Sequence, residues 1–305
     1  MRPTFGEIFG EPIPAYFSML MLGYAVAIYN VVRWAKRTGR DHQSVIDAGL
    51  ASIIGGVIGG RLLHVLADGY FWDYVHLCTD PAKVAWHITK GQCESAEGLW
   101  DAAQSVCRPA ARDCLAWAKF YNGGLAYYGG LVVGTWAAIS VAKRDGLPLL
   151  KLTDVTSMGV AMGLFFGRIG CFLGGCCYGL VTEHPWGVSF PPWSPASEGQ
   201  FREGVLAQPS LASLPVHATQ LYEAVGCLSI SVFLSIWGPR HKRFDGQVAL
   251  MFLVLYAALR FALEFLRADD RGLYVGLSTS QWISIVITLG VVALWRRWSL
   301  RPSEA

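Results

Sequence analysis

Seven apolar stretches, each near twenty residues long, constrain the fold of this chain more than any other feature. They lie near residues 15–33, 48–67, 122–142, 153–173, 217–237, 247–266 and 277–296. A helix of about 20 apolar residues crosses the hydrocarbon core of a bilayer, which is about 30 Å thick. Only 15% of the 305 residues are charged and 53% are hydrophobic. The sequence therefore predicts an all-α integral membrane protein with seven transmembrane helices, in which residues 1–305 form a single membrane domain.

Lysines and arginines concentrate in alternate short loops, which indicates how the helices are oriented. These residues are Arg33, Lys36, Arg37, Arg40, Lys143, Arg144, Lys151, Arg240, Lys242, Arg243, Arg296, Arg297 and Arg301. We expect their loops to be cytoplasmic, with the N-terminus outside and the C-terminus inside. The net charge of +3 is spread over these loops and does not predict binding to nucleic acid. The basic cluster follows the first apolar run, so we expect no cleavable signal peptide.

Two polar inserts, 68–121 and 180–216, are expected on the extracytoplasmic side of the membrane. The first carries Cys78, Cys93, Cys107 and Cys114. In an oxidising compartment four cysteines favour two disulfides that staple a small cap. The sequence leaves open which of the three pairings forms.

Four charged residues interrupt the apolar stretches: Arg61, Arg168, Glu223 and Arg260. Each lies 14 residues from the expected cytoplasmic end of its helix, if those ends are Asp47, Asp154, Trp237 and Gly246. At about 1.5 Å per residue, that places all four roughly 21 Å across the membrane. Because an isolated charge in the bilayer is costly, this shared depth predicts an anion site within the membrane, nearer the outer face.

Arg168 lies in a glycine-rich segment, GVAMGLFFGRIGCFLGGCCYG, at 159–179. Gly159, Gly163 and Gly167 have the spacing that lets another helix approach closely. The glycines around Arg168 leave backbone amides accessible, and a guanidinium beside free amides suits a phosphate. The alternative is an arginine paired with a carboxylate for structural reasons.

The segment YAALRFALEFLR carries a second set of polar residues at helical spacing. Tyr256, Arg260, Glu264 and Arg267 are predicted to share one helical face. An Arg260–Glu264 pair would reduce the cost of burying either charge, and Arg267 would meet a lipid head group. An ion pair that serves only packing is the alternative.

Two further segments contribute candidate binding residues. In HATQLYE, at 217–223, Gln220 and Glu223 are expected on one helical face. In NGGLAYYGG, at 122–130, paired glycines bracket Tyr128, whose hydroxyl is expected to donate to a phosphate or head-group oxygen. Tyr128 as a packing residue is the alternative.

Three cysteines follow Arg168 closely: Cys171, Cys176 and Cys177. Their spacing is not that of a conventional zinc site and no histidine partner is evident, so no metal or other cofactor is predicted. A Cys171–Cys176 bridge, a thiol nucleophile beside Arg168 and simple close packing all stay open.

Together these segments resemble the prolipoprotein diacylglyceryl transferase family. Tyr16–Gly23 is similar to the family's helix-one pattern, and GGLAYYGG to its segment ending in His-Gly-Gly. GRIGCFLGGCCYG resembles the signature G-R-x-G-N-F-x-N-x-E-x-x-G, HATQLYE resembles H-P-S-Q-L-Y-E, and YAALRFALEFLR resembles Y-x-x-x-R-F-x-x-E-x-x-R. Tyr128 replaces the family's histidine, while Cys171, Gly174 and Cys176 replace its two asparagines and its glutamate.

The resemblance implies a multi-pass enzyme of the bacterial plasma membrane with its active site toward the outer face. It would move the diacylglyceryl group of phosphatidylglycerol to the lipobox cysteine of a prolipoprotein signal peptide, releasing glycerol phosphate. Arg168 and Arg260 would hold the phosphate, Tyr16 would touch the lipid and Glu264 would orient Arg260. Arg61, Gln220, Glu223, Tyr256 and Arg267 complete the expected substrate site.

The substitutions leave the thiol base open, with Tyr128, Glu223 and water as candidates. They also motivate a second hypothesis, a lipid-binding or lipid-handling paralogue without transferase chemistry. A third hypothesis is a transporter of organic anions, although the sequence shows no paired inverted halves.

Overall fold

The computed structural model describes residues 4–8, 11–86, 93–94, 97–119, 124–268 and 273–299. Within these ranges the α-helices are α1 (Ala15–Arg37), α2 (His42–Ala67), α3 (Phe71–Thr79), α4 (Tyr127–Arg144), α5 (Leu149–Gly174), α6 (Pro195–Arg202), α7 (Thr219–His241), α8 (Gln247–Leu263) and α9 (Thr279–Ser299). A 3₁₀ turn, Glu264–Leu266, extends α8.

Three short antiparallel ribbons accompany the helices in the described part of the chain, and the expectation of an all-α chain did not include them. They pair β1 (Thr4–Ile8) with β2 (Glu11–Pro14), β3 (Leu99–Asp101) with β4 (Val106–Arg108), and β5 (Leu273–Tyr274) with β6 (Leu277–Ser278). Each ribbon has only two strands, so the described part of the chain is still mainly helical.

Six of the described helices are long and apolar enough to cross a membrane: α1, α2, α5, α7, α8 with its 3₁₀ turn, and α9. They match six of the seven predicted stretches, and most run a few residues further at the end with the basic residues. The predicted stretch 122–142 corresponds to α4, which is not among the six. Its 18 residues include Tyr127, Tyr128, Lys143 and Arg144, which lower its mean hydropathy.

The chain divides into two compact units, residues 1–42 with 148–305, and residues 43–147. In the first unit α1, α7 and α8 pack against α5, and α9 packs against α8. An apolar cluster joins α5, α7 and α8 through Ala161, Ile230, Leu234, Val248 and Phe252. This three-helix core holds the polar residues described below in fixed positions.

Small residues let α1 approach α5 closely. A Cβ added to Gly23 would lie 3.1 Å from the Gly163 backbone, and one added to Gly159 would lie 3.1 Å from Ala27. Gly159 and Gly163 therefore have the predicted helix-packing role. The prediction was wrong for Gly167, where an added Cβ meets no atom within 4 Å. Gly170 takes that role instead, against Tyr16 and Met19.

In the second unit, glycines again set the helix crossing, because α2 and α4 meet through Gly59 and Gly129, where either added Cβ would clash with the other helix. The insert that follows α2 is held by two disulfides, Cys78–Cys114 and Cys93–Cys107. The prediction of two disulfides is confirmed, and the structure selects one of the three pairings.

The second insert is also folded, around its own small core. Tyr178, Phe190, Ala196 and Val216 are buried together, and α6 packs into this cluster. The backbone of Val216 forms antiparallel β-bridges with Val181 and Val188. These bridges fix the end of the insert just before α7.

Candidate functional site

Three charged side chains meet in the first unit, near the last turns of α5 and α8 and the first turns of α7. Arg168 lies in the last two turns of α5, Glu223 in the first turns of α7 and Arg260 in the last turn of α8. Arg168 Nη2 lies 3.0 Å from Glu223 Oε1, and Arg260 Nη1 lies 3.8 Å from Glu223 Oε2. Of the four charges expected at one depth, these three therefore lie together, whereas Arg61 lies in the other unit. The anion site that they were expected to form stays a prediction.

Glu223 is the centre of this cluster. It is only 1% exposed, and its Oε1 also accepts a hydrogen bond from the Tyr256 hydroxyl at 3.1 Å. A buried carboxylate needs such partners, because removing the partner of a buried charge costs about 3–5 kcal/mol of stability. Glu223 therefore keeps two arginines at a fixed separation.

Arg260 has a second carboxylate partner and one unused donor. Its Nη2 donates to Glu264 Oε2 at 2.7 Å and to Ser280 Oγ at 3.2 Å. Its Nη1 is buried yet has no hydrogen-bond acceptor among the described residues. Buried donors are nearly always satisfied, so an orphaned guanidinium nitrogen beside a second arginine indicates a place for an anion.

The predicted Arg260–Glu264 pair is thus present, but the four residues from Tyr256 to Arg267 do not share one helical face. The α-helix ends at Leu263, and Arg267 has extended backbone that bridges Gly179. The residue is buried, and its guanidinium hydrogen-bonds to the thiol of Cys177. Arg267 therefore pairs with the loop after α5 and does not extend the face of α8.

The loop after α5 turns back on the helix. Gly175 adopts a left-handed conformation at φ 73°, as is common where helices end, and Cys177 does so at φ 62°. The Cys176 amide donates to the Cys171 carbonyl at 3.2 Å. As a result the sulfur atoms of Cys171, Cys176 and Cys177 all lie within 4.8 Å of one another.

The start of α7 fixes this loop. Gln220 Nε2 donates to the Cys176 carbonyl at 2.7 Å, and Thr219 Oγ1 donates to the Cys177 carbonyl at 2.8 Å. Both side chains are about 1% exposed. Gln220 and Glu223 therefore both point toward α5 and its following loop, as their spacing predicted, but Gln220 binds backbone here.

The environment of Cys177 favours its thiolate. Hydrogen bonds from the Cys171 and Cys176 thiols, with a further one from Arg267, lower the pKa of Cys177. The opposite effect falls on Cys176, because hydrogen bonding to Cys171 and Cys177, with burial, raises the pKa of Cys176.

Tyr16 is the second residue of α1 and packs against Gly170, which directly precedes Cys171 in α5. Its side chain is 46% exposed, so part of the ring is free to contact lipid. Its predicted lipid contact stays a prediction.

Arg61 and Tyr128 lie in the other unit. Arg61 donates to the carbonyls of Ala116 and Trp117 at 2.6 Å and to that of Gly124 at 3.1 Å. These bonds anchor the disulfide-bonded insert to α2. Tyr128 begins α4 and is 60% exposed. The roles predicted for both residues in substrate binding and catalysis stay predictions.

Sequence reasoning missed two members of the site. Ser280 follows a ribbon at the start of α9, and Thr219 is an ordinary helix-entry residue, so neither carries a sequence signal beyond its helix boundary. Their roles depend on tertiary packing, which brings α9 to Arg260 and the start of α7 to the cysteine loop.

Comparison with known proteins gives a match over nearly the whole chain. The family model of prolipoprotein diacylglyceryl transferase matches residues 3–297. A phosphatidylglycerol–prolipoprotein diacylglyceryl transferase of Clostridium tetani is 29% identical over 95% of this chain and 96% of its own length. Enzymes of that name from Clostridium perfringens and Corynebacterium diphtheriae are 28% and 30% identical, over 97% and 90% of this chain and 94% and 85% of their own lengths.

Proposed function

Because the chain belongs to the prolipoprotein diacylglyceryl transferase family, we propose that it moves the diacylglyceryl group of phosphatidylglycerol to the lipobox cysteine thiol of a prolipoprotein. The observation that carries the assignment to this site is the orphaned Nη1 of Arg260, buried beside Arg168 across a shared carboxylate. The family match favours this transferase over a lipid-handling paralogue or an anion transporter.

In this proposal the two arginines bind the phosphodiester of the lipid. The acceptor sulfur attacks the glycerol carbon that carries the phosphate, a carbon–sulfur bond forms, and the carbon–oxygen bond breaks. The electron pair goes to the phosphate oxygen, and glycerol phosphate leaves as the thiol proton is lost. Arg168 and Arg260 stabilise the charge that develops on the leaving oxygen.

Glu223 and Glu264 position the arginines. Glu223 pairs with both arginines, and Glu264 pairs with Nη2 of Arg260. These two carboxylates fix the orientation of Nη1, which has no hydrogen-bond acceptor among the described residues. Tyr256 fixes Glu223 in turn through its hydroxyl. Such preorganisation matters because donors that need no rearrangement lower the barrier most.

The proposed topology has seven membrane spans, the six apolar helices and α4. Basic residues end α1, α4, α7 and α9, which supports a cytoplasmic location for those ends. The Arg168–Glu223–Arg260 cluster then lies toward the outer face of the plasma membrane. The two inserts lie outside, where the disulfides would form, and the first would serve as a cap.

The proposal is tested with purified protein in detergent micelles that contain phosphatidylglycerol. In one arm the lipid is radiolabelled in its acyl chains, and in the other in its head-group glycerol. A lipobox peptide with cysteine should take up the acyl label while glycerol phosphate releases the other. The same peptide with serine is the control and should take up neither. Lipid binding without release of glycerol phosphate would support a lipid-handling protein and refute the transferase assignment.

A further inference from the structure

The three cysteines after α5 form a compact group that the arginine site does not use. Their sulfur atoms lie within 4.8 Å of one another, although residues 172–175 separate the first from the other two. The turn at Gly175 and the left-handed Cys177 create this arrangement. Cys227, the other free cysteine among the described residues, lies in α7 and is not in the group.

Three thiols at this separation match the geometry of a zinc site. Zinc–thiolate bonds are about 2.3 Å long, so sulfurs around one tetrahedral ion are about 3.8 Å apart. From an upper separation of 4.8 Å, side-chain rotations of roughly 0.6 Å per sulfur would close the group around an ion. Sulfur ligands select soft or borderline metals such as zinc, so thiolate chemistry excludes Mg²⁺ and Ca²⁺ here.

Side chains of the neighbouring helix hold the loop that carries the thiols in place. Gln220 and Thr219 hydrogen-bond its two cysteine carbonyls, and both come from the neighbouring α7. Arg267 hydrogen-bonds Cys177 and Arg168 interacts electrostatically with Cys171 and Cys177. A zinc ion with three thiolates carries one net negative charge, which these guanidinium groups would balance.

One side of the group stays open. Cys171 is buried, but Cys176 and Cys177 are only partly so. An added Cβ at Gly174 would meet no atom within 4 Å, so there is open space beside the loop. A zinc site with three protein ligands and an open fourth position is the arrangement found in catalytic zinc sites.

We propose that Cys171, Cys176 and Cys177 bind a zinc ion whose fourth ligand is the acceptor cysteine of the prolipoprotein, an inference that rests on the proposed function. Zinc deprotonates a coordinated thiol outright. The ion therefore supplies what Tyr128 does not, a means to form the attacking thiolate at neutral pH. The thiol proton leaves to solvent on binding, and the zinc-bound sulfur then forms the carbon–sulfur bond.

The metal is tested first, by elemental analysis of the protein purified without chelators. We expect about one zinc per chain in the wild type and less than a tenth of that in Cys171→Ser and Cys176→Ser. Cys227→Ser is the matched control and should keep its zinc. A wild type without zinc, or one in which mass spectrometry finds a disulfide between two of the three cysteines, overturns the proposal. Copper in place of zinc also overturns it.

The fourth ligand is tested by cobalt substitution, which reports on the ligands without any turnover. Cobalt bound to thiolates has intense sulfur-to-metal absorption in the near ultraviolet, which grows with each added thiolate. The lipobox peptide with cysteine should raise this absorption by about a third, from three sulfurs to four, and the serine peptide should not. Equal spectra with both peptides would contradict the acceptor role.

Arg168→Ala separates this proposal from the transferase assignment. It should lower lipid transfer by about 10²–10³ and keep both the zinc and the spectral response to the cysteine peptide. Chelation of the wild type should abolish lipid transfer, and zinc should restore it. Full transfer by zinc-free protein would refute the metal's role while leaving the transferase assignment in place.

Discussion

At the scale of single residues, one carboxylate is shared by two arginines. Glu223 is buried, and it lies within ion-pair distance of both Arg168 and Arg260. Without it, two positive charges would face each other in a low-dielectric environment, where repulsion is only weakly screened. The residue thus serves stability and positioning together.

Replacement of Glu223 by glutamine keeps the shape and removes the charge. We expect Glu223→Gln to lose about 3–5 kcal/mol of stability, as for a broken buried ion pair. We also expect about a 10- to 100-fold loss of transfer rate, because the arginines would repel each other out of position. Thermal unfolding in detergent and the radiolabel assay measure the two effects. Glu203→Gln, an exposed residue after α6, is the control, and equal behaviour of the two variants would contradict this role.

The base is the residue-scale question that the sequence left open. If zinc forms the acceptor thiolate, Tyr128→Phe should keep its transfer rate within about threefold, since the phenol hydroxyl is then not needed to remove the thiol proton. Initial rates at saturating peptide measure this. A loss of a hundredfold or more with normal zinc content would instead assign the base to Tyr128.

At the scale of elements, helix ends hold the functional groups, and spacing along one helix does not predict all of their contacts. The Arg260–Glu264 pair could be predicted because both residues lie within one helix at a spacing of four. The position of Arg267 could not, because α8 ends before it and the chain turns toward Gly179. Gly167 shows the same limit, since a repeat of glycines does not reveal which of them faces the partner helix.

A second buried carboxylate, Asp154, lies near the start of α5 and beside the start of α8, at the ends of these helices away from the arginines. Its carboxylate accepts from the amides of Gly246 and Ala249 at 2.8 and 3.0 Å and pairs with Lys242 at 2.7 Å. It therefore caps the start of α8, where backbone amides lack partners within the helix.

Asp154→Asn should weaken this cap, since it removes the charge that Lys242 and the amides share. We expect a loss of about 2–3 kcal/mol, the usual cost of charged hydrogen bonds, visible as a lower Tm in detergent. Transfer by the folded protein at low temperature should change less than threefold, because the arginine cluster lies at the other helix ends. Asp73→Asn, in the first turn of α3, serves as the control. An unchanged Tm would refute the capping role.

At the scale of the whole molecule, hydropathy predicted seven spans, and six of them are helices long and apolar enough to cross a membrane. It also predicted a cysteine-stapled insert. The pairing of those cysteines and the proximity of Cys171 to Cys176 and Cys177 depend on how loops fold, which periodicity does not encode. The charged cluster was predicted in part. The sequence placed Arg61, Arg168, Glu223 and Arg260 at one depth but did not predict that Glu223 contacts both Arg168 and Arg260.

The two disulfides give a prediction about the whole molecule. Peptide mapping of protein from the bacterial membrane under non-reducing conditions should recover Cys78 with Cys114 and Cys93 with Cys107. Such bridges persist only in an oxidising compartment, so they would also place the insert outside the cytoplasm. A reporter fused after residue 305 should then be cytoplasmic. Free thiols at all four positions, or a reporter exported to the outside, would contradict the proposed orientation.

In the proposed mechanism, Arg168 and Arg260 together bind the phosphate of the lipid. The most direct measurement is kcat/KM for lipid transfer in the wild type, Arg168→Ala, Arg260→Ala and Arg240→Ala. Arg240 is an exposed arginine at the other end of α7 and serves as the control. We predict a loss of about 10²–10³ for each of the first two variants, as for removal of a charge-stabilising donor, and a loss under threefold for Arg240→Ala. Equal kcat/KM values in all four proteins would contradict the account.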